Sequence, residues 1–213
     1  MIEKLACKLG RNDESSNIEL AEELCQSNDN AGIREIVDGL TGTDKAVAND
    51  CIKVLYEIGE REPELIAGYV NEFISLLCTK NNRLIWGSMT ALAKIAELSH
   101  GAIFEKLPVV VSAYENGSVI TVDNSISVFA ELCKADESYS KEIIPILIKH
   151  LQKCRPKEVP QHAERAAVCF DSDNAGAFIE VLEKRLPNLA VNGQTRVKKL
   201  LKQLYGMRVY GGD

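Results

Sequence analysis

The chain is poor in the residues that build most enzyme active sites. Among its 213 residues there are one tryptophan (Trp86), three histidines (His100, His150, His162) and six prolines. No G-x-S-x-G, P-loop or G-x-G-x-x-G occurs, so neither a serine-nucleophile elbow nor a phosphate-cradling loop is encoded. No run of ~18 apolar residues is present, so no membrane span is expected. The first residues have no apolar stretch of signal-peptide type, and Lys4 stands where a lipobox needs an aliphatic residue. The seven cysteines are scattered, odd in number and without C-x-x-C; most sit inside apolar helical patterns, which reads as reduced, buried thiols of a cytoplasmic protein.

What is there is globular. Hydrophobic residues make up 46% and charged residues 26%, enough to bury a core without staples. The net charge is −6, against a dedicated DNA-binding surface. Residues 1–43 carry −5, 44–191 carry −5 and 192–213 carry +4.

Apolar residues recur at three and four almost throughout, and no segment alternates with period two. Turn punctuation falls every ten to twenty residues, and Asp44, Ser118, Asp173 and Asn192 are expected N-caps. The chain also repeats itself. Val54-Leu55-Tyr56-Glu57-Ile58-Gly59-Glu60 aligns with Ala91–Glu97 at a shift of 37, and that segment with Ser125–Glu131 at a shift of 34. Lys106-Leu107-Pro108-Val109-Val110 matches Ile143-Ile144-Pro145-Ile146-Leu147, again at 37. Such a period marks a helical solenoid, because one helix pair cannot bury both apolar faces and must stack on its neighbours.

Five helix pairs follow, with first helices at 31–41, 64–79, 101–116, 138–155 and 174–187. The second helices fall at 44–61, 82–99, 118–135, 157–170 and 193–206. Residues 1–30 are expected to cap the N-terminal end, 31–206 to form the repeats and 207–213 to be a flexible tail of the same single domain.

Leu107-Pro108-x-Val110 and Ile144-Pro145-x-Leu147 in first helices, with Leu84-x-x-x-Ser88-x-x-Ala91-Leu92-x-x-Ile95 in a second helix, resemble the HEAT-repeat family. The basic residue that the family often has near the start of the second helix is not kept, since Ile85 and Val119-Ile120 stand there. The resemblance implies an all-α, right-handed superhelix whose second helices line a concave binding face, and a non-enzymatic scaffold that binds a protein partner there. Aligned second helices place Lys53, Thr90, Asn124 and Gln161 on one ladder and Asn49, Trp86, Ile120 and Lys157 on the next. Asn49, Lys53, Trp86, Thr90, Asn124 and Gln161 are therefore the candidate partner-binding residues, with no cofactor, metal or catalytic residue assigned.

The alternative is a nucleic-acid binder, or a DNA glycosylase of the HEAT-like alkylpurine type, which resemblance would equip with a concave carboxylate beside an aromatic. Thr90, not Asp or Glu, stands one turn from Trp86, and Asp50 and Asp123 have no aromatic one turn away. His150 and Cys154 are spaced i, i+4 with His162 near the Cys154 end, a workable start for zinc. Cys169 would lie ~15 Å away at ~1.5 Å per residue, so four ligands do not converge and no metal site is expected. Asp171-Ser172-Asp173-Asn174 lacks calcium-loop spacing and reads as a capping turn. Residues 195–205 form a basic amphipathic helix with Val197, Leu200, Leu201 and Leu204 inward.

Overall fold

The computed structural model describes residues 1–210. The chain forms two compact units, Met1–Val128 and Phe129–Asp213. Among the described residues there is no strand. The first unit carries 11 basic and 20 acidic residues, net −9, and the second 14 and 11, net +3.

In the first unit a short 3-10 turn, Ile2–Lys4, precedes α1 (Ser15–Ser27), α2 (Asn30–Asp38) and α3 (Lys45–Arg61). Then come α4 (Glu64–Ala67), α5 (Val70–Leu76), α6 (Asn82–Ile95), α7 (His100–Glu105) and α8 (Leu107–Asn116). Helix α9 (Val119–Ala135) gives its first half to this unit and its second half to the next. The second unit continues with α10 (Ser140–Lys153), α11 (Val159–Ala166), α12 (Ala175–Arg185) and α13 (Val191–Tyr210). Helix α13 thus runs past 207, where the sequence predicts a tail; residues 211–213 lie outside the described residues.

Local chemistry sets the boundaries. Asp44 accepts from the N–H groups of Ala46 and Val47 at the start of α3, satisfying donors that no carbonyl of the helix can reach. Asp29 does so for Gly32, Asn81 for Arg83 and Ser118 for Thr121. Two expected caps are corrected. Helix α12 starts from Asn174, whose side chain makes no capping bond, and Asp171, not Asp173, orders the turn before it by accepting the N–H groups of Asp173 and Asn174 and the side chain of Asn174. Asn192 lies inside α13, whose first bond runs from Gln194 N–H to the Ala190 carbonyl.

Two of the expected first helices are split. Lys106, at φ −106° and ψ 21°, separates α7 from α8, and Pro108 follows in the first turn of α8. Proline has no N–H for the carbonyl four residues back and its ring crowds that carbonyl, so the chain restarts instead of continuing. Gly68 and Tyr69 separate α4 from α5 in the same way without a proline. In the second unit α10 runs unbroken through Pro145.

In the first unit's core the second helix α3 lies between α1 and the next second helix, α6. Leu20, Ala21 and Leu24 of α1 are buried, as are Ile52, Leu55 and Ile58 of α3 and Met89, Leu92 and Ile95 of α6. Gly87 lets α3 and α6 approach closely: a Cβ there would lie 2.7 Å from Ile52 Cγ1. In the second unit Phe178 stacks on Phe170, rings 4.0 Å apart, and Val197, Leu200, Leu201 and Leu204 of α13 are buried.

Candidate functional site

Five of the six candidate partner-binding residues lie in the first unit, on α3, α6 and α9. Trp86 is half-buried, tilted against Tyr56 of α3 with ring centroids 5.8 Å apart, and the Arg83 guanidinium lies 4.3 Å over its ring. Lys53 Nζ is 4.8 Å from the Tyr56 ring centre. Two aromatics of adjacent second helices are thus each faced by a cation, an arrangement favoured by the negative ring face.

These cations belong to an ion network reaching α1. Lys53 is 7% exposed; it bonds Glu57 Oε1 at 2.6 Å and lies 3.3 Å from Glu14. Glu14 also pairs with Arg83. Arg61 joins Glu57 at 2.7 Å and Glu22 at 2.9 Å. Desolvation pushes the Glu57 carboxyl up, but hydrogen bonds from Lys53 and Arg61 outweigh it and hold its pKa below the usual 4.5. Desolvation alone would lower the Lys53 ammonium, and its bond to Glu57 raises it above its ordinary value. The sequence pattern did not disclose Glu14, Glu22, Glu57 and Arg61 as neighbours of the ladder.

Thr90 and Asn124 are both half-buried. Asn124 Nδ2 donates to Thr90 Oγ1 at 3.1 Å and to the Ile120 carbonyl at 3.0 Å, while Thr90 Oγ1 donates to the Trp86 carbonyl at 2.8 Å. Asn49 Oδ1 accepts from Asn81 Nδ2 at 2.8 Å and lines a polar pocket of ≈ 370 Å³ with Cys7, Arg11, Glu14, Asp50 and Arg83. Ile120 is 47% exposed beside them. Gln161 lies in the second unit and is exposed. A separate groove of ≈ 560 Å³, lined by Leu77, Cys78, Ile85, Pro108, Val109 and Ser112, was not foreseen.

Asp50, one of the two concave carboxylates, is engaged at the N-terminal end of the unit. Asp50 Oδ2 accepts the Cys7 backbone N–H at 2.8 Å, tying the N-terminal segment to α3. Of the thiols, Cys51, Cys133 and Cys169 are buried, Cys7, Cys25 and Cys154 partly so, and Cys78 is exposed. No disulfide forms among them.

In the second unit His150, Cys154 and His162 converge, with one donor atom of each within 4.8 Å of the others. His150 Nε2 and His162 Nδ1 are 2.8 Å apart and share a hydrogen bond. Burial, then the neighbouring His162, lowers the His150 pKa to about 4, and burial raises the Cys154 thiol to about 11. Cys169 lies elsewhere, its thiol against the Phe129 carbonyl.

No known family model matches the sequence, and no curated protein matches it. Solved structures do. Computationally designed armadillo repeat proteins for modular peptide recognition align over 88% of this chain and 91% of theirs, with TM-score 0.67 and 17% identity. An engineered protein aligns over 96% of both chains, with TM-score 0.65 and 22% identity. A designed armadillo repeat protein in complex with the peptide (KR)4 aligns over 91% of this chain and 95% of its own, with TM-score 0.64 and 17% identity. The chain has the fold of an all-α repeat solenoid. No helix among the described residues is long and apolar enough to cross a membrane.

Proposed function

We propose that this chain is a non-enzymatic scaffold that binds an extended segment of a partner protein on the second-helix face of its first unit. The observation that carries the reading is the Asn124–Thr90 hydrogen bond beside half-buried Trp86, which makes one polar and aromatic surface across α6 and α9. Polar groups that can hydrogen-bond a backbone, next to an aromatic anchor, suit a peptide strand laid along stacked repeats. The acidic first unit favours a partner segment bearing basic residues. Solenoids of this fold include designed proteins made for peptide recognition, and one complexed with a basic peptide, which supports the reading by fold analogy. Lys53 contributes by holding Glu57 and Glu14 in place; Gln161 extends the ladder in sequence. Seven unpaired thiols favour a reducing compartment, the cytoplasm.

Within the solenoids, α10 and α11 form a two-helix repeat with Pro145 in the first helix, which supports the HEAT-like reading. A three-helix, armadillo-like reading is favoured for the first unit by the split helices α4–α5 and α7–α8. The segment before α2 acts as the N-terminal cap, its Leu5 and Ala6 buried and its Ala6 N–H bonded to Asn17.

The test is affinity capture from host lysate with wild type, a Trp86→Ala/Asn124→Ala variant and a Ser112→Ala control, each of confirmed helicity. A stoichiometric protein retained by the control and lost by the double variant supports the proposal. Equal capture by all three contradicts it, and nucleic acid that leaves at moderate salt would put the alternative in its place.

A further inference from the structure

The histidine–cysteine cluster lies in the second unit, outside the first-unit face proposed for the partner, and its chemistry is distinctive. His150 and Cys154 stand one turn apart at the end of α10, where the Cys154 N–H bonds the His150 carbonyl at 2.8 Å. His162 enters from the first turn of α11. The connection between the two helices is pinned: Arg155 pairs with Glu158, and the Arg185 guanidinium of α12 donates to the carbonyls of Leu151, Gln152 and Cys154. His150 is 7% exposed and His162 2%, so two imidazoles are held in the interior beside a thiol.

We propose that His150, Cys154 and His162 form a binding site for one borderline-soft transition-metal dication of the zinc class. Two imidazole nitrogens and a thiolate match zinc and not magnesium or calcium, which take oxygen ligands. With Zn–N at ~2.0–2.1 Å and Zn–S at ~2.3 Å, tetrahedral angles put the nitrogens ~3.4 Å apart and each nitrogen ~3.6 Å from sulfur. The ring nitrogens, now at 2.8 Å, must part by about half an ångström. The thiol, with all three donors already inside 4.8 Å, must close by about 1.2 Å at most, a movement on the scale of a χ1 adjustment at the C-cap of α10.

The proton balance is simple. Ligation requires both imidazoles neutral, with one proton each; the one held between the rings moves to the outer nitrogen of the ring that owns it, and both inner nitrogens become ligands. The Cys154 thiol releases one proton to solvent, so one proton leaves per metal bound. The positive charge of Arg185 is held by three carbonyls and opposed by the Glu158 carboxylate nearby, whose influence reaches both His150 and Cys154. Three protein ligands leave the fourth tetrahedral position to water or an outside group.

The test uses the full chain, chelator-treated and reduced, titrated with Co²⁺. One cobalt per chain is expected, with a thiolate-to-cobalt charge-transfer band and the intense visible bands of tetrahedral coordination. Cys154→Ser should abolish the charge-transfer band, and His162→Gln should weaken binding at least ~100-fold, beyond the ~10–100-fold that outer-shell changes cost. Cys78→Ser, at the exposed thiol, should change neither. On the unaltered chain, Zn²⁺ should slow alkylation of Cys154 relative to Cys78, read by peptide mass spectrometry. No charge-transfer band, a band that survives Cys154→Ser, or unchanged Cys154 alkylation overturns the proposal.

Discussion

Asn124 donates to Thr90 across successive second helices at 3.1 Å, so the polar ladder of the first unit is a bonded surface and not a row of independent side chains. Each partner is also anchored to its own helix, Asn124 to the Ile120 carbonyl and Thr90 to the Trp86 carbonyl. The chain's one tryptophan stands one turn before Thr90, its carbonyl accepting the Thr90 hydroxyl, which makes its fluorescence a reporter of the proposed face.

Asn124→Ala is expected to lower stability by about 1 kcal/mol, the net value of a half-buried hydrogen bond. Partner capture should fall far more than folding does. Urea melts and capture run on the same sample separate the two, and capture at wild-type level would remove the ladder from the binding account.

Ser88 is fully buried on α6, and its hydroxyl has no hydrogen-bond partner. Ser88→Ala removes an unsatisfied polar group and adds a better helix former, so a gain of about 1 kcal/mol is expected. A lower midpoint in urea would show that the hydroxyl does more than occupy space.

Gly87→Val should destabilise by about 1–3 kcal/mol, because a Cβ there already lies 2.7 Å from Cγ1 of fully buried Ile52 where α3 meets α6. The Trp86 emission should shift as well, since the clash sits one residue away. An unchanged melting temperature would contradict the close approach.

Glu57 contributes to the acid limb of the first unit. Its folded-state pKa is held below the usual 4.5, so the folded protein binds fewer protons there than the unfolded chain. The stabilisation is complete above the ordinary glutamate range and is lost as pH falls through the lowered value. Glu57→Gln should therefore lower stability at pH 7 and flatten the loss of stability below pH ~4.5. Stability measured by urea from pH 7 to 3 checks both; parallel curves for the two proteins would contradict it.

Much of the fold was legible because stacking imposes a period. The alignment of Val54–Glu60 with Ala91–Glu97 places α3 and α6 in register, and both are second helices in the structure. Apolar spacing continues across Lys106 and Tyr69 as though one helix ran through; Pro108 was a visible sign of the first break, and nothing in the spacing marked the second. In the candidate site, second-helix spacing alone put Trp86, Thr90 and Asn124 together. Their ionic neighbours were hidden, because Glu14, at the N-cap of α1, and Glu22, within α1, lie outside the repeat. Antiparallel pairing of 138–155 with 157–170 brought His162 toward Cys154, but the demand for four ligands obscured a cluster of three.

The central claim is that the face around Trp86 receives a partner segment. A photo-reactive residue placed at Ile120, exposed and beside Asn124, and separately at Val109 in the first-helix groove, tests it in the host cell. One discrete protein adduct is expected from position 120, suppressed by Trp86→Ala and missing from position 109. No adduct at position 120, or the same adducts from both positions, would contradict it.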